Sequence, residues 1–80
     1  MRLDKYLKVS RLIKRRTVAN EACDAEKVSV NGNPARASYD VKEGDIIEIN
    51  IGAQPLKVRV LDVKEFTKKE DAAALYERSE

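Results

Sequence analysis

Seven cations stand within the first twenty residues: Arg2, Lys5, Lys8, Arg11, Lys14, Arg15 and Arg16, against a single acid, Asp4. Arginine presents a planar fork that grips phosphate oxygens through two hydrogen bonds, and lysine acts as a point charge. A set of this kind suits a polyanion, because neutralising several phosphates releases counterions and gives affinity without reading sequence. Lys14-Arg15-Arg16 also precede a second helical pattern. Cations at the positive end of a helix are locally unfavourable by a few tenths of a kcal/mol each, roughly. A bound phosphate relieves that repulsion and finds free backbone N–H groups there.

The rest of the chain carries the opposite bias. Residues 21–80 hold nine basic and thirteen acidic residues, although the whole 80-residue chain sums to only +2. A basic head on an acidic body points to nucleic acid or an anionic surface. One domain is expected at this length, with one thin core. The 42% apolar content, falling in periodic runs, favours a folded globule. With no histidine and only Cys23, neither an intramolecular disulfide nor a zinc site of the common kind can form. Cys23 reads as a buried small hydrophobe. No cofactor is expected. No apolar run reaches the about 18 residues of a membrane helix and no signal-peptide core opens the sequence, so a cytoplasmic location is the expectation.

Elements must now be found that position the cations. Leu3, Tyr6 and Leu7 are spaced i, i+3, i+4 and mark the inner face of a first helix, with Asp4 in its first turn and Lys5 and Lys8 facing outward. Leu12 and Ile13 anchor the following turn. Thr17 is the N-cap candidate for a second helix, whose buried stripe is Val18, Ala19, Ala22 and Cys23. After residue 26 the period changes to two. Val28 and Val30 lead into an Asn31-Gly32 turn. Ile47, Ile49 and Ile51 alternate with polar residues, and Leu56, Val58 and Val60 form the returning strand of a hairpin. Thr67-Lys68-Lys69-Glu70 has the form of a capping box opening a last helix with Ala72, Leu75 and Tyr76 on its apolar face. Tyr6 reads as core and Tyr39 as a packed loop residue. The expected class is α+β: two N-terminal helices packed on a short antiparallel sheet, with a C-terminal helix.

The run Arg2-Leu3-Asp4-Lys5-Tyr6-Leu7, then Ser10-Arg11-Leu12-Ile13-Lys14-Arg15-Arg16-Thr17 with Ala19, resembles the S-four RNA-binding domain, the alpha-L motif. So do Val28-Ser29-Val30-Asn31-Gly32 and Val41-Lys42-Glu43-Gly44-Asp45-Ile46. The likeness spans residues 1–51 as the RNA-binding core, leaving 52–66 for the returning strand and its connection and 67–80 for the last helix. Many members append this domain to an enzyme. Here no length is left for one, and Ala72-Ala73-Ala74-Leu75-Tyr76-Glu77 resembles the tail of the stand-alone, ribosome-associated branch, to which the RqcP type and the fifteen-kilodalton heat-shock type belong. The resemblance implies a partner in the split large ribosomal subunit, with contacts to ribosomal RNA and to peptidyl-tRNA. In the RqcP type it also implies support for an RqcH-like alanine-tailing factor. It makes Arg2 and Arg16 the leading RNA contacts, with Lys5, Arg11, Lys14 and Arg15 in support, and the protein a monomer. The family usually has glycine where this chain has Glu26, so either the second helix closes in a left-handed conformation at a cost of about 1 kcal/mol or it ends in another way.

Three other classes are weaker. Catalysis lacks a histidine, a cysteine pairing and a glycine-rich phosphate loop; Asp45 and Asp62 read as solvated. Small sulfur carriers need a terminal diglycine, whereas this sequence ends Arg78-Ser79-Glu80. A membrane-surface helix needs a wide apolar face that the first helix lacks. On the bland reading of the charges themselves, Arg16 merely pairs with Glu21 or Asp24 at the surface.

Overall fold

The computed structural model describes residues 1–79. Two short helices, α1 (Leu3–Val9) and α2 (Arg16–Asp24), precede five strands: β1 (Val28–Val30), β2 (Asn33–Pro34), β3 (Ile46–Ile49), β4 (Leu56–Val60) and β5 (Tyr76–Arg78). A 3₁₀ helix, Lys69–Leu75, enters β5. The strands form one antiparallel sheet in the order β2-β1-β3-β4-β5. The expected α+β class and the β3–β4 hairpin are present, with Ile47 opposite Val58 and Ile49 opposite Leu56.

One core joins helices and sheet. Leu3, Tyr6 and Leu7 of α1 and Ala19, Ala22 and Cys23 of α2 pack with Val28, Val30, Ile47, Ile49, Val58 and Val60. The small α2 residues let the helices approach closely. Burial, aided by the charges of Asp4 and Asp24, pushes the Cys23 thiol up to about 11, so it stays neutral and apolar. The Tyr6 ring is fully buried and its hydroxyl donates to the Leu75 carbonyl at 2.8 Å, tying α1 to the far end of the chain. The same carbonyl accepts the N–H groups of Leu61 (2.8 Å) and Asp62 (3.2 Å).

Both helices end in a left-handed residue that is not glycine. At α2, Glu26 has φ 60°, with Glu26 N–H on the Cys23 carbonyl and Lys27 N–H on the Ala22 carbonyl. That pair of bonds is the Schellman closure, so of the two endings the left-handed one is present, in a residue with a Cβ. At α1, Arg11 has φ 62° and its N–H bonds the Lys8 carbonyl at 3.0 Å. Asn31 (φ 53°) and Gly32 (φ 87°) form the two-residue turn between β1 and β2, as their identities require.

Four local expectations are corrected. Thr17 is not the N-cap of α2: Arg15 holds that place in extended conformation, without a side-chain cap bond. Arg16 and Asn20, on the first turns of the helix, reach Asp4 of α1 instead. Val18 is 43% exposed, because α2 is covered along the narrower stripe of Ala19, Ala22 and Cys23. Ile51 is equally exposed, because β3 ends at Ile49, opposite the first residue of β1, and no neighbouring strand continues past it. The tail is not one helix over 67–80. Its helical part is 3₁₀ and begins at Lys69, without a Thr67 capping box, and Tyr76–Arg78 join the sheet beside β4. Ala72 and Leu75, both buried, are three residues apart, the spacing that a 3₁₀ helix brings onto one side. Residue 80 lies outside the described residues.

Candidate nucleic-acid interface

The helical face opposite the core carries the cations. α1 buries Leu3, Tyr6 and Leu7, so Lys5 and Lys8, at i and i+3, emerge together on its other side. The α1–α2 turn is held from beneath by buried Ile13, whose N–H donates to the Leu7 carbonyl at 3.0 Å. Buried Ser10 adds a hydroxyl bond of 3.2 Å to the same carbonyl. This underpinning fixes Arg11 and Lys14, both exposed, on the outer side of the turn.

Five of the seven sequence-predicted cations, Lys5, Lys8, Arg11, Lys14 and Arg16, line one groove of about 560 Å³. Its other wall is the segment after β4, which contributes Glu65, Phe66 and Thr67. Lys5 forms an ion pair with Glu65, which fastens this segment to α1 and holds the Glu65 carboxyl below its ordinary range. Arg2 and Arg15 lie outside the lining of that groove. Arg15 is exposed at the start of α2.

Arg2 and Arg16 meet at Asp4. Arg2 Nε donates to Asp4 Oδ1 at 3.2 Å and its terminal nitrogen to Oδ2 at 3.4 Å. Arg16 reaches the same carboxylate, Nε to Oδ2 and a terminal nitrogen to Oδ1, each at 3.4 Å. Asn20, one turn along α2, donates to Oδ2 at 3.2 Å, and the Lys5 backbone N–H to Oδ1 at 2.8 Å. Asp4 is 2% exposed, while the two arginine side chains are about half exposed, at 50% and 46%. Burial alone would push the Asp4 carboxyl up, but the bonds from Arg2, Asn20 and Arg16 outweigh it and hold it at about 2. Asp4 therefore stays ionised, clamps α1 to α2, and fixes two arginines whose outer edges remain open to solvent. Arg16 pairs with Asp4, not with Glu21 or Asp24 as the bland reading had it.

Sequence reasoning placed the cations but missed what holds them. In the sequence Asp4 reads only as a charge suited to the helix dipole, although a lone acid among seven cations is itself a signal. Asn20, Glu65 and Phe66 were not singled out. Phe66 is the only phenylalanine, set among charged neighbours, and that pattern marks an aromatic with no place in a core.

The geometry offers a cationic concavity of a kind suited to phosphates. The S4 domain family matches residues 1–47, more than half of the chain. The chain belongs to the S4 domain family. The resemblance drawn from residues 1–51 therefore holds. Among its relatives is a Streptococcus pneumoniae protein named RQC P-site tRNA stabilizing factor, 58% identical over 77 residues, which are 96% of this chain and 88% of that one. A Bacillus subtilis protein of the same name is 55% identical over 76 residues, 95% of this chain and 88% of its own. Among solved structures, the S4-type fold here is similar to that of trimeric Vibrio cholerae Heat Shock Protein 15, at TM-score 0.92 and 28% identity, covering 99% of this chain and 81% of that one.

Proposed function

We propose that this S4 protein is an RNA-binding factor of ribosome-associated quality control, which seats on the split large ribosomal subunit and steadies a P-site tRNA. The observation that carries this reading is the convergence of Lys5, Lys8, Arg11, Lys14 and Arg16 on one groove, beside the Asp4-anchored pair Arg2 and Arg16. Structured RNA suits a rigid surface of phosphate-binding groups, since its deep major groove hides the bases and leaves shape and backbone to be recognised. The names of the Streptococcus pneumoniae and Bacillus subtilis relatives, with near-complete overlap of both chains, supply the biological setting.

In this reading the protein is not an enzyme. All seven N-terminal cations act as phosphate contacts, with Arg2 and Arg16 foremost because Asp4 preorganises them. The peptidyl-tRNA is held while an RqcH-like factor extends the stalled chain with alanine, and one copy acts per subunit, in the cytoplasm where ribosomes are. A more general role in large-subunit recycling, of the heat-shock type, is favoured by the likeness to Heat Shock Protein 15. Sedimentation of tagged wild-type, Arg2→Ala and Arg16→Ala proteins with large subunits carrying peptidyl-tRNA tests the proposal. The wild type should co-sediment and both folded variants should be lost from the subunit fraction. Full association of both variants overturns the assignment of the site. Loss of alanine tails when the protein is removed supports the tailing role, and unchanged tailing favours the general one.

A further inference from the structure

Phe66 is 88% exposed, twice the exposure of Val18, Ile51 and Leu61, the other large exposed apolar side chains. A single exposed hydrophobe is ordinary in a protein surface. Its placement is not. The ring lines the same groove as Lys5, Lys8, Arg11, Lys14 and Arg16, and Lys5 Nζ lies 5.9 Å from its centroid. Glu65, the residue before it, pairs with Lys5 of α1, which brings the ring to the groove's edge.

We infer that Phe66 is a stacking platform for an unpaired nucleobase of the RNA whose phosphates the five cations hold. This rests on the nucleic-acid reading above and names the form of RNA the groove takes. An aromatic face beside a cationic track is the combination that binds unstacked nucleotides, since every base offers a π-face and the track holds its backbone. Paired bases inside a duplex present no free face, so the ligand is a bulged, looped or terminal nucleotide next to a helical stem. The charge around the ring argues against an apolar protein patch as its occupant.

The test uses the full chain and two RNA hairpins with the same stem, one fully paired and one with a single bulged nucleotide. The wild type should prefer the bulged hairpin. Phe66→Ala should lose about tenfold in affinity for it, the scale of one base–aromatic stack, with an unchanged salt slope and unchanged affinity for the paired stem. Phe66→Trp should keep the preference. Lys8→Ala should weaken both hairpins alike and lower the salt slope. A Phe66→Ala protein that retains the wild-type preference, or weakens equally on both hairpins, overturns the stacking role while leaving phosphate binding intact. Retained preference with loss of large-subunit association would assign Phe66 to a protein contact and also overturn it. A wild type that binds neither hairpin removes the nucleic-acid reading itself, and the stacking role with it.

Discussion

Asp4 and Asp45 are both buried, at 2% and 9% exposure, one between the two helices and one under the loops of the sheet. Their partners differ. Asp4 is held by two guanidinium groups and Asn20. Asp45 accepts from neutral donors: Tyr39 Oη at 2.9 Å, the Lys42 backbone N–H at 3.0 Å and Asn31 Nδ2 at 3.2 Å. The Asp45 bond in turn holds the Tyr39 phenol above its ordinary range. The carboxylate between the helices thus orients charges that face outward, and the one under the sheet closes a β-turn and a loop without exposing any cation. The first region ties a stabilising contact to the orientation of exposed cations, and the second does not.

The comparison breaks most readily at Asp4. Its carboxyl ionises at about 2 in the folded protein against 3.8 when unfolded. A lowered folded value means the ionised group stabilises the fold fully above about pH 4, and that stabilisation drains away as pH falls from 4 to 2. The shift corresponds to about 2 kcal/mol. Asp4→Asn should therefore lose about that much stability at neutral pH. It should also flatten the acid limb of a urea-denaturation series between pH 4 and 2 and weaken RNA binding by freeing Arg2 and Arg16. An unchanged acid limb would mean the clamp is not energetically coupled to folding.

Asp45→Ala is the matched variant. It leaves the Tyr39 hydroxyl, the Asn31 amide and the Lys42 N–H short of an acceptor, a loss of about 1–3 kcal/mol. RNA affinity should remain at the wild-type value once folded protein is compared with folded protein. Altered affinity would show that the two regions are linked after all.

Smaller effects sharpen the contrast within the helical region. Glu26 holds φ 60° with a side chain that disfavours it, so Glu26→Gly should stabilise the protein by up to about 1 kcal/mol and leave RNA binding intact. A lower melting temperature would show that the side chain stabilises the helix end. Lys14→Ala and Arg15→Ala should leave stability nearly unchanged and lower the slope of log K against log salt by about one unit each at most. Equal slopes for the wild type and the double variant would remove both residues from the interface. The contrast with Arg2 and Arg16 is direct: those two bond a buried carboxylate, so replacing either should also lower the melting temperature, by less than Asp4→Asn does.

The period-3.6 stripe of Leu3, Tyr6 and Leu7, the Asn31-Gly32 turn and the alternation from Ile47 through Val60 were legible because each is a local pattern whose partner is always the same core. The concentration of seven cations in the first twenty residues was legible too, since it needs only composition, but five of them line the groove while Arg2 and Arg15 stand outside it. What the chain by itself could not decide lies at positions governed by distant partners. Thr67 has a capping-box sequence, yet the tail is shaped by the Leu75 carbonyl, which accepts from Tyr6, Leu61 and Asp62, and by pairing of Tyr76–Arg78 with β4. Asp45 looked like a solvated turn acid and is a buried acceptor. Phe66 comes to the basic groove across 60 residues of sequence, through Glu65 bonding Lys5. The sequence by itself determined which residue types could bind a phosphate and which faces must be buried, because charge and hydropathy are properties of the side chain alone. Tertiary structure alone decided which cations share a groove, which are held by Asp4, and which aromatic stands beside them, because those depend on distances between segments that no local spacing encodes.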